Sequence, residues 1–277
     1  MSLTRVKSLN IIGCGRVGRT LGRLWQAKGC YRIEGVVTHS VQTAQEAVDF
    51  MGAGRAIAAL ADLPVADVWM LAVPDHQIAQ IALALAQTAS VAQPAIAFHC
   101  SGALASSELD GLRSLGWQVA SAHCLLSFAD PNSALEQFAG TPCALEGDPG
   151  AVTELERSFI HIGARCFTLA AENKLLYHAG AVFATNFLPV LLDLAQRLWR
   201  DSGVPADVVA QLNATLLQNS VANILAFGTA GALTGPAARG DLALVAQQGR
   251  AVTVWNTSAG AAYQALSELA TQLAKHE

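Results

Sequence analysis

Six residues near the start of the chain, Gly13-Cys14-Gly15-Arg16-Val17-Gly18, have the types and spacing to hold a diphosphate through main-chain amides. In such a G-x-G-x-x-G turn the first glycine allows a tight bend, the second lets the backbone approach a pyrophosphate, and the third lets helix and strand pack closely, with the positive helix end towards the phosphates. The pattern alone is weak, because glycines also crowd ordinary turns. Here it follows an apolar run, Ser8 to Ile12, and opens a helical pattern with Val17, Leu21, Leu24 and Trp25 on one face. About 20 residues on, where an NAD site commonly carries an acid for the ribose 2′-hydroxyl, the chain has Thr38-His39-Ser40. No carboxylate would repel a 2′-phosphate there, and the hydroxyls and imidazole can donate to one, so the expected cofactor is NADP, with NAD as the alternative. Glu34 falls inside the preceding strand and is expected to be a sheet residue.

Groups suited to proton transfer come later. His99-Cys100-Ser101-Gly102 and His123-Cys124 each end an apolar run where a strand would leave a sheet, which brings two imidazoles and Ser101 to one edge. Taken singly, a strand-end histidine is more often structural than catalytic; two at equivalent positions, one followed by Ser-Gly, balance the two readings. Ala72-Val73-Pro74 ends another such run and is placed to line a nicotinamide ribose, with Asp75 as cap of the next helix. Further on, Lys174, His178 and Thr185 fall within about 40° of one another at the ~100° per residue of a helix. Tyr177 lies nearby and Asn186 lies on the flank. Polar groups on so apolar a helix face either solvent or a site, because unpaired burial is costly. In the turn-rich stretch Leu233 to Asp241, Arg239 is placed to clamp a carboxylate or to pair with Asp241.

The elements that position these groups follow from periodicity. Strands are expected at Ser8–Ile12, Tyr31–Thr38, Asp67–Val73, Ala95–His99, Trp117–His123, Thr141–Glu146 and Ala164–Leu169, with helices between them. Beyond Leu169 the strand signal stops. Four helices are expected, Glu172–Arg200, Pro205–Phe227, Asp241–Val254 and Thr257–Lys275. The fold class is therefore an α/β N-terminal Rossmann domain with a doubly wound, mostly parallel sheet over residues 1–170, followed by an all-α domain over 171–277 for substrate binding and dimerisation.

At 52% hydrophobic and 14% charged residues, the chain is incompatible with disorder and has apolar surface to spare for a homodimer interface. A net charge of -4 and no run of Lys or Arg argue against nucleic acid. Ala179 to Ala195 is apolar but interrupted by Asn186, Pro189 and Asp193, shorter than the ~20 residues of a bilayer span, and is expected to be a buried helix. With no membrane segment and no leader in view, a cytoplasmic protein is expected. The six cysteines form no CxxC pair. They are expected to be reduced buried thiols, with neither disulfide nor metal.

The stretches Ile11–Gly18, His99–Gly102, His123–Phe128, Tyr177-His178 with Asn186, and Leu233–Asp241 resemble those of the Rossmann-like and DUF2520 domain-containing family over nearly the full chain. More distantly the chain is similar to the pyrroline-5-carboxylate reductase, ketopantoate reductase and β-hydroxyacid dehydrogenase group, whose helical domain is of the 6-phosphogluconate dehydrogenase C-terminal type. That resemblance implies NADP-dependent hydride transfer to a small oxo acid or imine, ketopantoate-like, in a cleft between two domains. Several of those enzymes use a helix Lys with Asn four residues later; here that position is His178. Lys174 or His178 is the expected proton donor, His99 and His123 the alternatives, Asn186 and Thr185 orient the substrate, and Arg239 holds its carboxylate. The rival expectation is a nucleotide-binding sensor or scaffold that kept the cofactor turn and lost the chemistry.

Overall fold

The computed structural model describes residues 5–88 and 93–275. Contacts within them define two compact units, one ending at Thr185 and one beginning at Asn186.

The first unit alternates β1 (Lys7–Ile12), α1 (Arg16–Lys28), β2 (Tyr31–Val37), α2 (Val41–Met51), β3 (Arg55–Ala56), β4 (Val68–Leu71), α3 (Ile78–Ala86), β5 (Ile96–His99), α4 (Asp110–Arg113), β6 (Gln118–Cys124), α5 (Pro131–Gln137), β7 (Pro142–Gly147), α6 (Pro149–His161), β8 (Arg165–Thr168) and α7 (Lys174–Ala181). The strands form one sheet in the order β3-β2-β1-β4-β5-β6-β7-β8, parallel except for the β6–β7 pair. Order reverses between β1 and β4, so a crevice opens beyond their carboxyl ends, which is where doubly wound sheets take ligands. β3 is two residues long at the sheet margin, too short to leave a periodic signature.

Strand alternation feeds two separate cores. Val68 and Met70 point to the layer holding Trp25, Phe98 and Phe159, while Trp69 and Leu71 point to the layer with Leu109, Leu112 and Trp117. Both faces are covered, and the central strands accordingly read as unbroken apolar runs. Trp25 anchors the first layer edge-on to Tyr31, Phe98 and Phe159 at centroid distances of 5.4, 6.2 and 5.2 Å. The turns are locally encoded: Gly29 and Gly52 end α1 and α2 in the left-handed conformation, and the Ser40 hydroxyl caps α2 by accepting from the Thr43 N–H.

The second unit is helical: α8 (Phe187–Asp201), α9 (Ala206–Gly231), α10 (Leu242–Trp255) and α11 (Thr257–Leu273). α8 packs on α9, and α10 on α11. Gly260 lets the last pair close, since a methyl there would lie 2.6 Å from the Thr253 Cα. Among the described residues of this unit, Val209 and Ala259 are the buried hydrophobic ones, whereas Phe187, Leu225, Phe227 and Val254 are exposed.

Two expectations need correction here. The continuous helix predicted from Glu172 to Arg200 is interrupted by a π-helical turn, Val182–Asn186, between α7 and α8. Nor is this run a short buried helix: Ala171–Asp201 spans 31 residues with a mean hydropathy of 1.5 in its most apolar window, none of that window is buried, and by length and composition alone it is long enough to cross a membrane. Hydrophobic periodicity reports that a face is apolar, not what covers it.

Candidate active site

The glycine turn sits at the end of β1. The Gly13 N–H donates to the Val37 carbonyl and the Ala72 N–H to the Ile12 carbonyl, which locks the ends of β2, β1 and β4 together. The three glycines differ in what surrounds them. Gly13 has φ +75°, and a Cβ there would lie 2.4 Å from Val73 Cγ1 and 2.7 Å from the Ala72 carbonyl oxygen. At Gly18 a Cβ would meet the Gly13 carbonyl oxygen at 3.0 Å. At Gly15 nothing lies within 4 Å. Gly13 and Gly18 thus serve the protein's own packing, and Gly15 faces open space at the amino end of α1, whose first turn has no acidic residue.

That space is a cavity of about 630 Å³ lined by Gly13 to Gly15, Thr38, His39, Ala72 to Pro74 and also Arg19, Thr43 and Gln77. Burial pushes the thiol of Cys14, in its wall, up to about 12. Arg16 is exposed and Val17 half-buried. At the far end the Thr38 hydroxyl donates to the Ser40 carbonyl, and His39 Nε2 lies 3.2 Å from Thr43 Oγ1. Arg19 was not among the expected residues. Its Nε donates to the Cys14 carbonyl at 3.2 Å and its guanidinium lies 3.5 Å from Glu46, so one cation belongs to this wall. Its position directly after Gly18 was the available signal.

Beyond Pro74 the sheet edge continues into a polar network. Asp75 does not cap the following turn; its carboxylate accepts from the Ser101 hydroxyl at 2.9 Å. Ser101 Oγ in turn accepts from the Ala103 and Leu104 amides. His99 is fully buried, with Nδ1 accepting from the Ser101 N–H at 3.2 Å and Nε2 lying 3.0 Å from the Ala105 carbonyl, so Nε2 carries the proton. Burial lowers its pKa to about 4. Both ring nitrogens are occupied in shaping the 101–105 loop.

Lys174, at the start of α7, is only 1% exposed. Its ammonium donates to Ser121 Oγ at 2.7 Å and to the Ser101 carbonyl at 3.1 Å. Burial pulls its pKa down, opposed by the charges of Glu146 and Asp75. Glu146 itself accepts from the Ser106 N–H and hydroxyl, both at 2.7 Å, and from the Ser121 hydroxyl at 3.3 Å. Ser121 and Glu146 were missed, although Ser121 lies two residues before His123 and so shares its strand face.

One turn further along α7, Tyr177 and His178 meet His123. The Tyr177 hydroxyl is 3.0 Å from His123 Nδ1, and the His123 and His178 rings cross at 82° with centroids 5.6 Å apart. Gly102 makes this approach possible: a methyl there would lie 2.7 Å from His178 Nδ1 and 2.8 Å from both Cε1 and Nε2 of His123. His178 Nδ1 is buried without a hydrogen-bond partner. Burial, His178 and Lys174 together lower the His123 pKa to about 4. Thr185 does not share this stripe: it lies in the π turn, is exposed, and its hydroxyl donates back to the Ala181 carbonyl. Asn186 and Arg239 belong to the second unit. There Arg239 is exposed, and Asp241 uses its carboxylate to cap α10 through the Leu244 N–H. Among the described residues no group of three or more His, Cys, Asp or Glu side chains converges on a metal position.

Residues 2–123 match the model of a Rossmann-like domain and residues 141–270 that of DUF2520, a domain of unknown function. No curated protein matches the sequence. Among solved structures, protein TM1727 from Thermotoga maritima superposes with a TM-score of 0.74 at 26% identity, over 97% of this chain and 98% of that one. BF3122 from Bacteroides fragilis, provisionally named an NADP oxidoreductase, gives 0.76 at 19% identity, over 96% and 98%. The pyrroline-5-carboxylate reductase of Coxiella burnetii gives 0.57 at 14% identity, over 97% and 99%. The latter two likenesses are of fold.

Proposed function

We propose that this protein is an NADP(H)-dependent oxidoreductase acting on the carbonyl or imine carbon of a small molecule, an oxo acid of the ketopantoate kind or a cyclic imine. The observation that carries this is the cavity at the strand-order reversal, where Gly15 offers bare backbone and open space at the amino end of α1. A dinucleotide fits that donor set: Gly13 to Gly15 would hold the pyrophosphate, Ala72 to Pro74 the nicotinamide ribose, and Thr38, His39, Ser40 and Arg19 the adenosine ribose with its 2′-phosphate. Bound there, NADPH supplies a hydride. The names of BF3122 and the Coxiella burnetii enzyme support the same class of chemistry.

The chain's own part is to move a proton and exclude water. Lys174 and His99 are buried with protein partners, so they act as positioning residues for the Ser101–Gly102 turn and for α7. The proton-handling groups are then His123 and His178. A homodimer completes this reading, because exposed Leu225 and Val254 belong to a unit with two buried apolar residues among those described. Sedimentation at twice the 28.9 kDa chain mass is expected, and a monomer would remove the dimer from the reading.

NADPH oxidation at 340 nm against a panel of oxo acids and cyclic imines tests the function. Turnover that falls in His178→Ala supports the proposal. Tight NADPH binding with no turnover on the panel would favour a nucleotide-binding sensor instead.

A further inference from the structure

We propose that Cys124 and Cys143 form an oxidisable dithiol, a modification site at which hydrogen peroxide closes a disulfide between β6 and β7. The inference stands apart from the oxidoreductase reading, because it uses neither the cofactor cavity nor turnover.

Four of the six cysteines fall on or beside neighbouring strands. Cys124 ends β6, Cys143 lies in β7, Cys166 lies in β8, and Cys100 follows the end of β5. The strand register pairs Cys124 with Cys143, and Cys143 with Cys166. The first of these pairs has the geometry to bridge. β6 and β7 are antiparallel, and the Leu125 N–H donates to the Pro142 carbonyl. Ladder bonds alternate along an antiparallel pair, so Cys124 and Cys143, one step further along, face each other where no bond passes, with Cα atoms about 4.5 Å apart. That spacing falls inside the ~4.4–6.8 Å that a disulfide spans. Their Sγ atoms are 3.4 Å apart, so the two thiols already meet. β7 and β8 are parallel instead, and Cys166 turns its thiol to the Glu156 carbonyl at 3.9 Å.

The two sulfurs differ in access. Cys124 is 6% exposed and Cys143 0%, so a water-sized oxidant meets Cys124 first. Its sulfur attacks one peroxide oxygen: an S–O bond forms, the O–O bond breaks, and the departing hydroxide takes the thiol proton as water. The Cys143 sulfur then attacks that of Cys124. The S–S bond forms, the S–O bond breaks, and a second water leaves with the Cys143 proton. The sulfurs lose two electrons in all, and the peroxide oxygens gain them. The hydrogen bond with Cys124, together with burial, holds the Cys143 thiol well above its usual range. The bridge therefore closes slowly at neutral pH and faster as pH rises.

The pair borders the candidate site. Cys124 directly follows His123, whose Nδ1 lies 3.0 Å from the Tyr177 hydroxyl. Drawing the two sulfurs into a bond pulls the end of β6 towards β7 and shifts His123 with it.

Reduced full-length protein treated with hydrogen peroxide at about pH 8 tests the proposal, with thiol titration and mass spectrometry as readouts. The wild type is expected to lose two of its six thiols and about 2 Da. Cleavage after Glu136 separates Cys124 from Cys143 in the sequence, so the two peptides should stay joined until dithiothreitol is added. The His123 imidazole resonances should move on oxidation and return on reduction. Cys124→Ala and Cys143→Ala should each abolish the bridge, whereas Cys166→Ala should keep it. Six free thiols after treatment, a bridge from Cys143 to Cys166 or Cys100, a bridge between two chains, or sulfinic acid at Cys124 without a bridge overturns the proposal. Unmoved His123 resonances overturn the link to the site. The wild-type peptide map decides the pairing even where a variant fails to fold.

Discussion

Replacing Gly13 and Gly15 separately by alanine should separate folding from cofactor binding within one motif. At Gly13 an alanine must adopt φ +75° and set its methyl 2.7 Å from the Ala72 carbonyl oxygen, against backbone that cannot swing aside. The left-handed conformation costs about 1–2 kcal/mol, and overpacking adds roughly 1–3 kcal/mol. A loss of about 3 kcal/mol, or roughly 10 °C in melting temperature, is expected. At Gly15 a methyl meets nothing within 4 Å and the backbone is already extended, φ -73° and ψ -153°, so only the poorer helix cap is felt, about 0.5–1 kcal/mol. The same methyl occupies the space through which phosphate oxygens would reach the α1 amides. Losing two charge-assisted bonds at ~1.5 kcal/mol each weakens NADPH binding about 100-fold or more. Thermal melts of the free proteins and fluorescence titration with NADPH measure the two effects. The reasoning is refuted if Gly15→Ala binds NADPH like the wild type, or if Gly13→Ala melts with it.

Three further outcomes are expected. Lys174→Met strips the donor from the Ser101 carbonyl and Ser121 hydroxyl in a buried setting and should cost about 3 kcal/mol in urea unfolding; unchanged stability would contradict its positioning role. His99, with its pKa lowered from 6.5 to about 4 by burial, is neutral in the fold and protonates first in the unfolded chain. Its contribution is therefore complete above pH ~6.5 and lost as pH falls from there to about 4, with a slope of up to ~1.4 kcal/mol per pH unit, and unfolding curves at several pH values in His99→Gln should be flatter over that range. Burial raises the thiols of Cys14 and Cys100 to about 12, so neither should react with a disulfide reagent at pH 8 in the native protein, while all six cysteines react after denaturation; fast native labelling of either would show that the site opens.

The sequence by itself determined the local steps: the strand, glycine turn and helix at residues 7–28, the strand ends carrying Ala72 to Pro74, His99 and His123, and the change to helices after Leu169. Those features depend on glycine conformation, caps and periodicity over a few residues, all of which act between near neighbours in the chain. Only the tertiary structure decided how distant polar groups are shared. A helical wheel puts Lys174, His178 and Thr185 on one stripe, but the last of these lies within the π turn at Val182–Asn186, and burial gives Lys174 to Ser101 and Ser121. Tyr177 drew little attention in the sequence and gains its place from His123, 54 residues away. The glycine turn marked where a cofactor would sit, whereas which side chains remain able to move a proton depends on what each is already bonded to, and that is fixed by packing between elements far apart in sequence.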